Sequence, residues 1–385
     1  IRHVAILVAI AVAVGPSFAD QPSADSGKAI AAALQPFVDS HSLAGAVLLV
    51  ADKDKILSLE AVGFANLAAK KPMQTDMIFW IASQSKPITA AALMMLVDEG
   101  KVKLDDPVAK YLPEFKNQWL AVEQDKDHLL LKKPKHHVTV RNILSHTSGM
   151  PFSSAMEQPT LDGLALRDAV RSYAMTPLQS EPGTKYAYSN AGINTAGRII
   201  EVVSGLPYEE FLDKRLFEPL GMKDTTFWPD ESQLKRLAKS YRPNADKSGL
   251  EETRIGQLTY PLSSRKRHPM PAGGLFSSAA DVNRFCQLIL NRGLYKSKRL
   301  LSEEAVKQMT AKQTGDAVKD NYGLGFALGG TTFGHGGAYS TNMTVDSKRG
   351  LITIFMVQHN GWAGDGAKSL GVFQKAASDM LERTK

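Results

Sequence analysis

Phe79-Trp80-Ile81-Ala82-Ser83-Gln84-Ser85-Lys86 is the stretch on which the reading of this chain turns. It leads into a strongly apolar run in which Ile88, Ala92, Leu93, Leu96 and Val97 share one helical stripe, closed by Gly100. Residues at i and i+3 share a helix face, so a helix beginning at Ser83 puts the Lys86 amine within reach of the Ser83 hydroxyl. A hydroxyl with a base beside it is an activated nucleophile. Spacing alone does not select this pair, because Ser232-Gln233-Leu234-Lys235 and Ser263-Ser264-Arg265-Lys266 match it as well.

On the N-terminal side, Ile30, Leu34, Phe37 and Val38 give residues 27–40 a helical face. Two β-like runs follow, Ala46 to Ala51 and Ile56 to Phe64, and the polar turn Asp52-Lys53-Asp54-Lys55 makes them a hairpin. From 101 to 310 the pattern predicts helices at 140–145, 161–174, 190–205, 207–215, 279–292 and 302–310. A surface hairpin interrupts them between Trp119 and Leu131. The β pattern returns in Gly323 to Leu328, Thr331 to His335, Ser340 to Val345 and Leu351 to Gln358, before an amphipathic helix from Ala367 to Glu382.

Strands at both ends of the chain predict an α+β fold. One antiparallel sheet is built from N- and C-terminal strands, terminal helices flank its outer face, and a mainly helical lobe is inserted. The expected division is a sheet lobe of about 20–90 and 311–385 around a helical lobe of about 91–310, with the site between them.

Composition narrows the class. Of 385 residues one is a cysteine, so internal disulfides are excluded, and Cys286 in a helical pattern reads as a buried structural thiol. The net charge of +7 is scattered. Its one cluster, Leu131 to His137, lacks interleaved aromatics and reads as a solvated edge strand or loop rather than a nucleic-acid surface. Arg2-His3, the apolar run Val4 to Val14, the break Gly15-Pro16 and the small residues Ser17 and Ala19 have the layout of a signal peptide. The expectation is cleavage near Ala19, export to the periplasm or medium, and no integral membrane segment in the mature chain. His136-His137 has no further ligand at metal spacing, and no metal or cofactor is expected. The absence of a G-x-S-x-G elbow excludes an α/β-hydrolase.

A Ser-Lys pair still needs a proton path, oxyanion donors and a substrate wall. Tyr188-Ser189-Asn190 is the one Tyr-x-Asn in the chain, in a loop before a predicted helix. A tyrosine beside a lysine is expected to have its pKa pulled below ~10 and to relay protons. Phe333-Gly334-His335-Gly336-Gly337 sets glycines in a strand, a mark of close approach by ligand. Ser145-His146-Thr147-Ser148-Gly149 ends a short helix, and His146 reads as structural, holding its turn through side-chain bonds.

Together these segments resemble the penicillin-recognising serine hydrolases: class C β-lactamases, D-alanyl-D-alanine carboxypeptidases, D-aminopeptidases and family VIII carboxylesterases. The likeness extends to Leu96-Val97-Asp98-Glu99-Gly100-Lys101, Asp105-Asp106-Pro107-Val108, Leu220-Gly221-Met222 and Ala272-Gly273-Gly274-Leu275, nearly the whole chain after Ala19. It implies Ser83 as acylating nucleophile, Lys86 as its base and Tyr188 as proton shuttle. Asn190 would bind substrate, and His335, Gly336 and Gly337 would form the opposite wall. The backbone N–H groups of Ser83 and Ala338 would make the oxyanion hole. Penicillin-binding enzymes carry Lys-Thr-Gly where this chain has His335-Gly336-Gly337, which removes a permanent charge for a substrate carboxylate.

The expected function is therefore a serine hydrolase acting on small esters or related amides. A β-lactamase, D-Ala-D-Ala carboxypeptidase or D-aminopeptidase is the alternative within the class, and a catalytically weak binding or scaffolding protein the alternative outside it. The expected partner is a small ester, amide or β-lactam, with no nucleic acid and no assigned oligomeric state.

Overall fold

The computed structural model describes residues 28–383. The segment read as a signal peptide lies outside them. Among the described residues no helix is long and apolar enough to cross a membrane.

Seven antiparallel strands form the main sheet, in the order Ala327–Gly329, Thr332–Gly336, Asn342–Asp346, Leu351–Met356, Gly45–Ala51, Ile56–Asn66 and Lys71–Pro72. The ends of the chain meet at its centre, where Val47 pairs with Met356 and Ala51 with Ile352. Every residue of Gly45–Ala51 and Leu351–Met356 is buried. These strands are covered on both faces, which is why their sequences are apolar runs and not alternating patterns. Val47, Leu49, Ile352 and Ile354 face the inner core. Ala46, Leu48, Val50 and Phe355 face the terminal helices Lys28–Asp39 and Ser369–Arg383 through Ile30, Leu34, Phe373 and Ala377. The sheet with its flanking terminal helices and helical insert is the α+β arrangement expected.

The inner core is continuous from the sheet into the helices. The helix Ser85–Asp98 runs through it, and all but its last two residues are buried. It is buried all round, not on one stripe, because it has neighbours on every side, and its buried polar residues Ser85, Lys86 and Thr89 all lie in its first turns. The helix Asn190–Ser204 packs along it. Helix Ala279–Leu290, from the middle of the chain, lies on the inner face of the sheet through Val282, Phe285 and Ile289.

Some predicted boundaries moved. The helix expected from 161 begins at Leu166, because Asp162 instead enters a buried pair with Arg267. The run from Gly323 is a strand only over Ala327–Gly329. The short ladder of Ile78–Trp80 with Phe276–Ser278 was not foreseen, three residues being too few to show a period. Cys286 is buried beside Met343, and burial pushes its thiol up to about 12.

Candidate active site

The ladder Ile78–Trp80 ends just before Ser83. Trp80 is pinned by its N–H to Gln358 Oε1 (3.0 Å) and by Nε1 to Gly273 O (2.7 Å), and Ile81 N donates to Leu275 O (3.0 Å). Ala82 then adopts φ +47°, a left-handed conformation that costs a non-glycine residue about 1–2 kcal/mol. One turn of 3₁₀ helix, Ala82–Gln84, follows, and the α-helix starts at Ser85, two residues later than expected. The bend still presents Ser83 to the cleft with Lys86 behind it.

Lys86 Nζ, fully buried, has three oxygen neighbours: Ser83 Oγ (3.0 Å), Asn190 Oδ1 (2.8 Å) and Ala272 O (2.7 Å). Burial holds its pKa well below the ordinary lysine value. A neutral amine has two N–H bonds and a lone pair. Asn190 Oδ1 and Ala272 O can only accept, so they take the two N–H bonds. The lone pair is then left for the one neighbour that carries a hydrogen, the Ser83 hydroxyl. The geometry is that of a base already aimed at its proton.

Tyr188 lies across this pair. Its phenol is near enough to the Ser83 hydroxyl to feel it, and Lys86 Nζ stands 4.7 Å from its ring centroid. The expected lowering of its pKa is corrected: burial outweighs the opposing influence of the Ser83 hydroxyl and pushes the phenol above its ordinary value. The phenol is therefore neutral and keeps its proton. Tyr186, the neighbour that could be mistaken for it, packs on His146 and Tyr322 instead.

His146 does more than hold its own turn. It sits at φ +59°, its Nδ1 accepts from Ser189 N (3.1 Å), its carbonyl accepts from Ala187 N (2.8 Å), and its ring lies 4.5 Å from that of Tyr188. The residues on either side of Tyr188 are thus both fastened to His146, through the Ala187 and Ser189 N–H groups. Ser189 caps the helix Asn190–Ser204 by accepting from Gly192 N (3.1 Å) and donates to Pro151 O (2.6 Å).

The opposite wall differs from expectation. Gly336 and Ala338 line the cleft with Ser83, Tyr188 and Asn190, but His335 and Gly337 do not. The His335 ring is buried and turned inward, with Nδ1 donating to Gly336 O (2.6 Å) and Nε2 beside Tyr322 Oη (3.0 Å). Burial lowers its pKa to about 3, so it is neutral. Gly337 is packed against Ile81 O and Thr341. Among the described residues the backbone N–H groups of Ser83 and Ala338 have no carbonyl partner. Asn190 lines the cleft, but with Oδ1 on Lys86 the group it can offer a ligand is Nδ2.

The cavity has a volume of about 290 Å³ and is completed by Trp80, Phe152, Gln257, Met270 and Gly273. Gln257 and Met270 come from a loop held by the Asp162–Arg267 pair, in which Arg267 Nε meets Asp162 Oδ2 at 2.7 Å with both side chains buried. Asp162 also accepts from Thr259 N (2.9 Å), and Arg267 donates to Phe227 O (2.8 Å). The carbonyl of Ala272 and the carboxamide of Asn194, which accepts from Ala272 N (3.0 Å), escaped the sequence reading as site groups. The signal for them in the sequence was Ala272-Gly273-Gly274-Leu275. The rival pairs at 232 and 263 are exposed on the surface.

The protein-family model described as Beta-lactamase matches residues 30–374. A Mycobacterium tuberculosis protein is 30% identical over 363 residues, covering 85% of this chain and 89% of its own. Esterase EstB of Burkholderia gladioli is 29% identical over 361 residues, with 84% and 88% covered. Among solved structures, EstCE1, a hydrolase with promiscuous acyltransferase activity, superposes with a TM-score of 0.76 at 23% identity over 91% of this chain and 97% of its own.

Proposed function

The chain belongs to the beta-lactamase family of serine hydrolases, and from that premise we propose that it hydrolyses small, uncharged carboxylic esters through an acyl-enzyme on Ser83. The observation that carries the choice is the cleft lining, which holds no cationic side chain for a substrate carboxylate. The position where penicillin-binding enzymes carry lysine is a neutral histidine turned away from the cavity. Its volume lies at the low end for ligand sites. Trp80, Phe152 and Met270 suit a short apolar acyl or alkyl group. The similarity to EstB supports the same reading.

In this mechanism Ser83 Oγ gives its proton to Lys86 Nζ and attacks the ester carbon. The oxyanion is received by the backbone N–H groups of Ser83 and Ala338. As the C–O bond breaks, Tyr188 passes a proton to the leaving alcohol and is reprotonated from Lys86. A water molecule, deprotonated along the same route, then frees the acid and restores the Ser83 hydroxyl. Export of the protein is part of the proposal and rests on the layout of residues 2–19 alone.

The test is a panel of p-nitrophenyl acetate and butyrate, nitrocefin and a D-Ala-D-Ala peptide on the purified protein. The esters should be turned over fastest, and Ser83→Ala should lose at least roughly 10³-fold in kcat. Faster turnover of nitrocefin or release of D-Ala would favour the penicillin-directed alternatives. Full activity in Ser83→Ala would remove the nucleophile assignment, and no turnover at all would favour a binding protein.

A further inference from the structure

The His335 ring does not line the Ser83 cleft, yet both of its nitrogens are engaged. Gly336 O can only accept, so at 2.6 Å it requires that the single proton of the neutral ring sit on Nδ1. The reverse tautomer would set the Nδ1 lone pair against that carbonyl. Nε2 is then an acceptor, 3.0 Å from Tyr322 Oη. The buried Tyr322 hydroxyl is the donor that satisfies it, sharing its hydrogen with Gly325 O at 3.1 Å. The hydrogen bond at one ring nitrogen thus decides that the other carries the proton.

The carbonyl held by His335 belongs to the peptide group joining Gly336 to Gly337, whose N–H donates to Thr341 O (2.7 Å). That group is clamped at both ends. In the next, joining Gly337 to Ala338, the carbonyl accepts from Ser340 N (2.9 Å). Its other end is the Ala338 N–H, which has no carbonyl partner among the described residues, and Ala338 borders the cleft with Ser83. Between the two groups stands Gly337, and glycine is the residue whose φ and ψ are least restrained by its own atoms. The direction of the Ala338 N–H is therefore set by the bonds on either side of Gly337.

We propose that His335 is a positioning residue for the oxyanion hole: Tyr322 selects the tautomer whose Nδ1–H holds the Gly336 carbonyl, and the clamped turn aims the Ala338 N–H at Ser83. This role presupposes the Ser83 acyl-enzyme of the ester-hydrolase reading. It also gives the imidazole a use that needs no contact with substrate.

Two variants separate the donor from the bulk of the ring. His335→Leu has no donor, whereas His335→Asn keeps one, because Asn Nδ2 stands where the ring has Nδ1. Both lose the Tyr322 partner, so a purely structural role would lower their kcat alike. With p-nitrophenyl butyrate, His335→Leu should lose about 10–100-fold in kcat with little change in KM, the effect of a misaimed donor. His335→Asn should recover most of that loss. In long-range 1H–15N spectra of the histidine-labelled parent, the signal absent from His335→Asn should show Nδ1 protonated and Nε2 bare. Tyr322→Phe keeps the ring but frees its tautomer, so kcat should fall and part of that signal should move to the Nε2-protonated form. Rates of Ser83 labelling by a fluorophosphonate, whose phosphoryl oxygen needs the same donors, should rank the variants in the same order. Labelling of the parent without ester turnover would sink the ester reading, and the labelling rates would then decide the role of His335. An Nε2-protonated His335 in the parent, parent rates in His335→Leu, or equal losses in the Leu and Asn variants would overturn the proposal.

Discussion

His146 stands outside the proposed reacting set but holds the segment that carries Tyr188. Its imidazole accepts from Ser189 N and its carbonyl from Ala187 N, so the residues on either side of Tyr188 share one anchor. Burial keeps the ring neutral, and the Nδ1 lone pair stays available for Ser189. Replacing it by alanine frees the Tyr188 loop without removing any reacting group. His146→Ala should therefore lower kcat for p-nitrophenyl butyrate by roughly 10–100-fold with little change in KM, the scale of an ångström misplacement. His146→Asn retains an acceptor on a short side chain and tolerates the positive φ, so it should recover part of the loss. Equal kcat in the two variants would show that the Ser189 bond is not the cause.

At the level of elements, the site depends on how closely the end of the strand Thr332–Gly336 approaches the bend before Ser83. Gly337 N donates to Thr341 O (2.7 Å), and Thr341 Oγ1 reaches Ile81 O (3.4 Å). A Cβ on Gly337 would stand 2.6 Å from Ile81 O and collide with Thr341 Oγ1. A Cβ on Gly336 would meet nothing nearer than Thr341 O at 3.7 Å. Gly337→Ala should push the Ala338 N–H away from Ser83 and reduce kcat by about 10²–10³-fold, the usual effect of losing an oxyanion donor. Its melting temperature should fall as well. Gly336→Ala should melt like the parent protein; equal melting temperatures for the two variants would contradict the close-approach argument.

For the whole molecule, three buried imidazoles set the acid limit of stability. His146, His335 and His359 are all lowered by burial, the last two to about 3. In the unfolded chain they titrate near 6.5. Above that pH both states are neutral and the contribution is constant. Below it the unfolded state binds protons that the folded state refuses, so stability falls as pH drops toward 3. Melting temperature should decline between pH 6.5 and 4.5, before most carboxylates titrate. His359→Gln, remote from the reacting groups, should make the decline shallower. A flat profile over that window would contradict the burial argument.

The sequence was sufficient where chemistry is local. The i, i+3 spacing of Ser83 and Lys86, the lone Tyr188-x-Asn190, the hairpin around Asp52–Lys55 and the apolar runs at both ends of the chain are all patterns within a few residues of one another. The fold class followed because strands that are buried on both faces must be apolar throughout. What stayed hidden depends on groups that meet only after folding. Ala272 O on Lys86 comes from far along the chain and is a backbone carbonyl with no signature of its own. Whether Tyr188 is raised or lowered is decided by how deeply it is buried, and the direction of the His335 ring by Tyr322 across the wall. Side-chain identity and spacing thus determined which groups are present at Ser83. Distance, orientation and exclusion of water, which set their protonation and what the cleft can admit, belong to the tertiary structure.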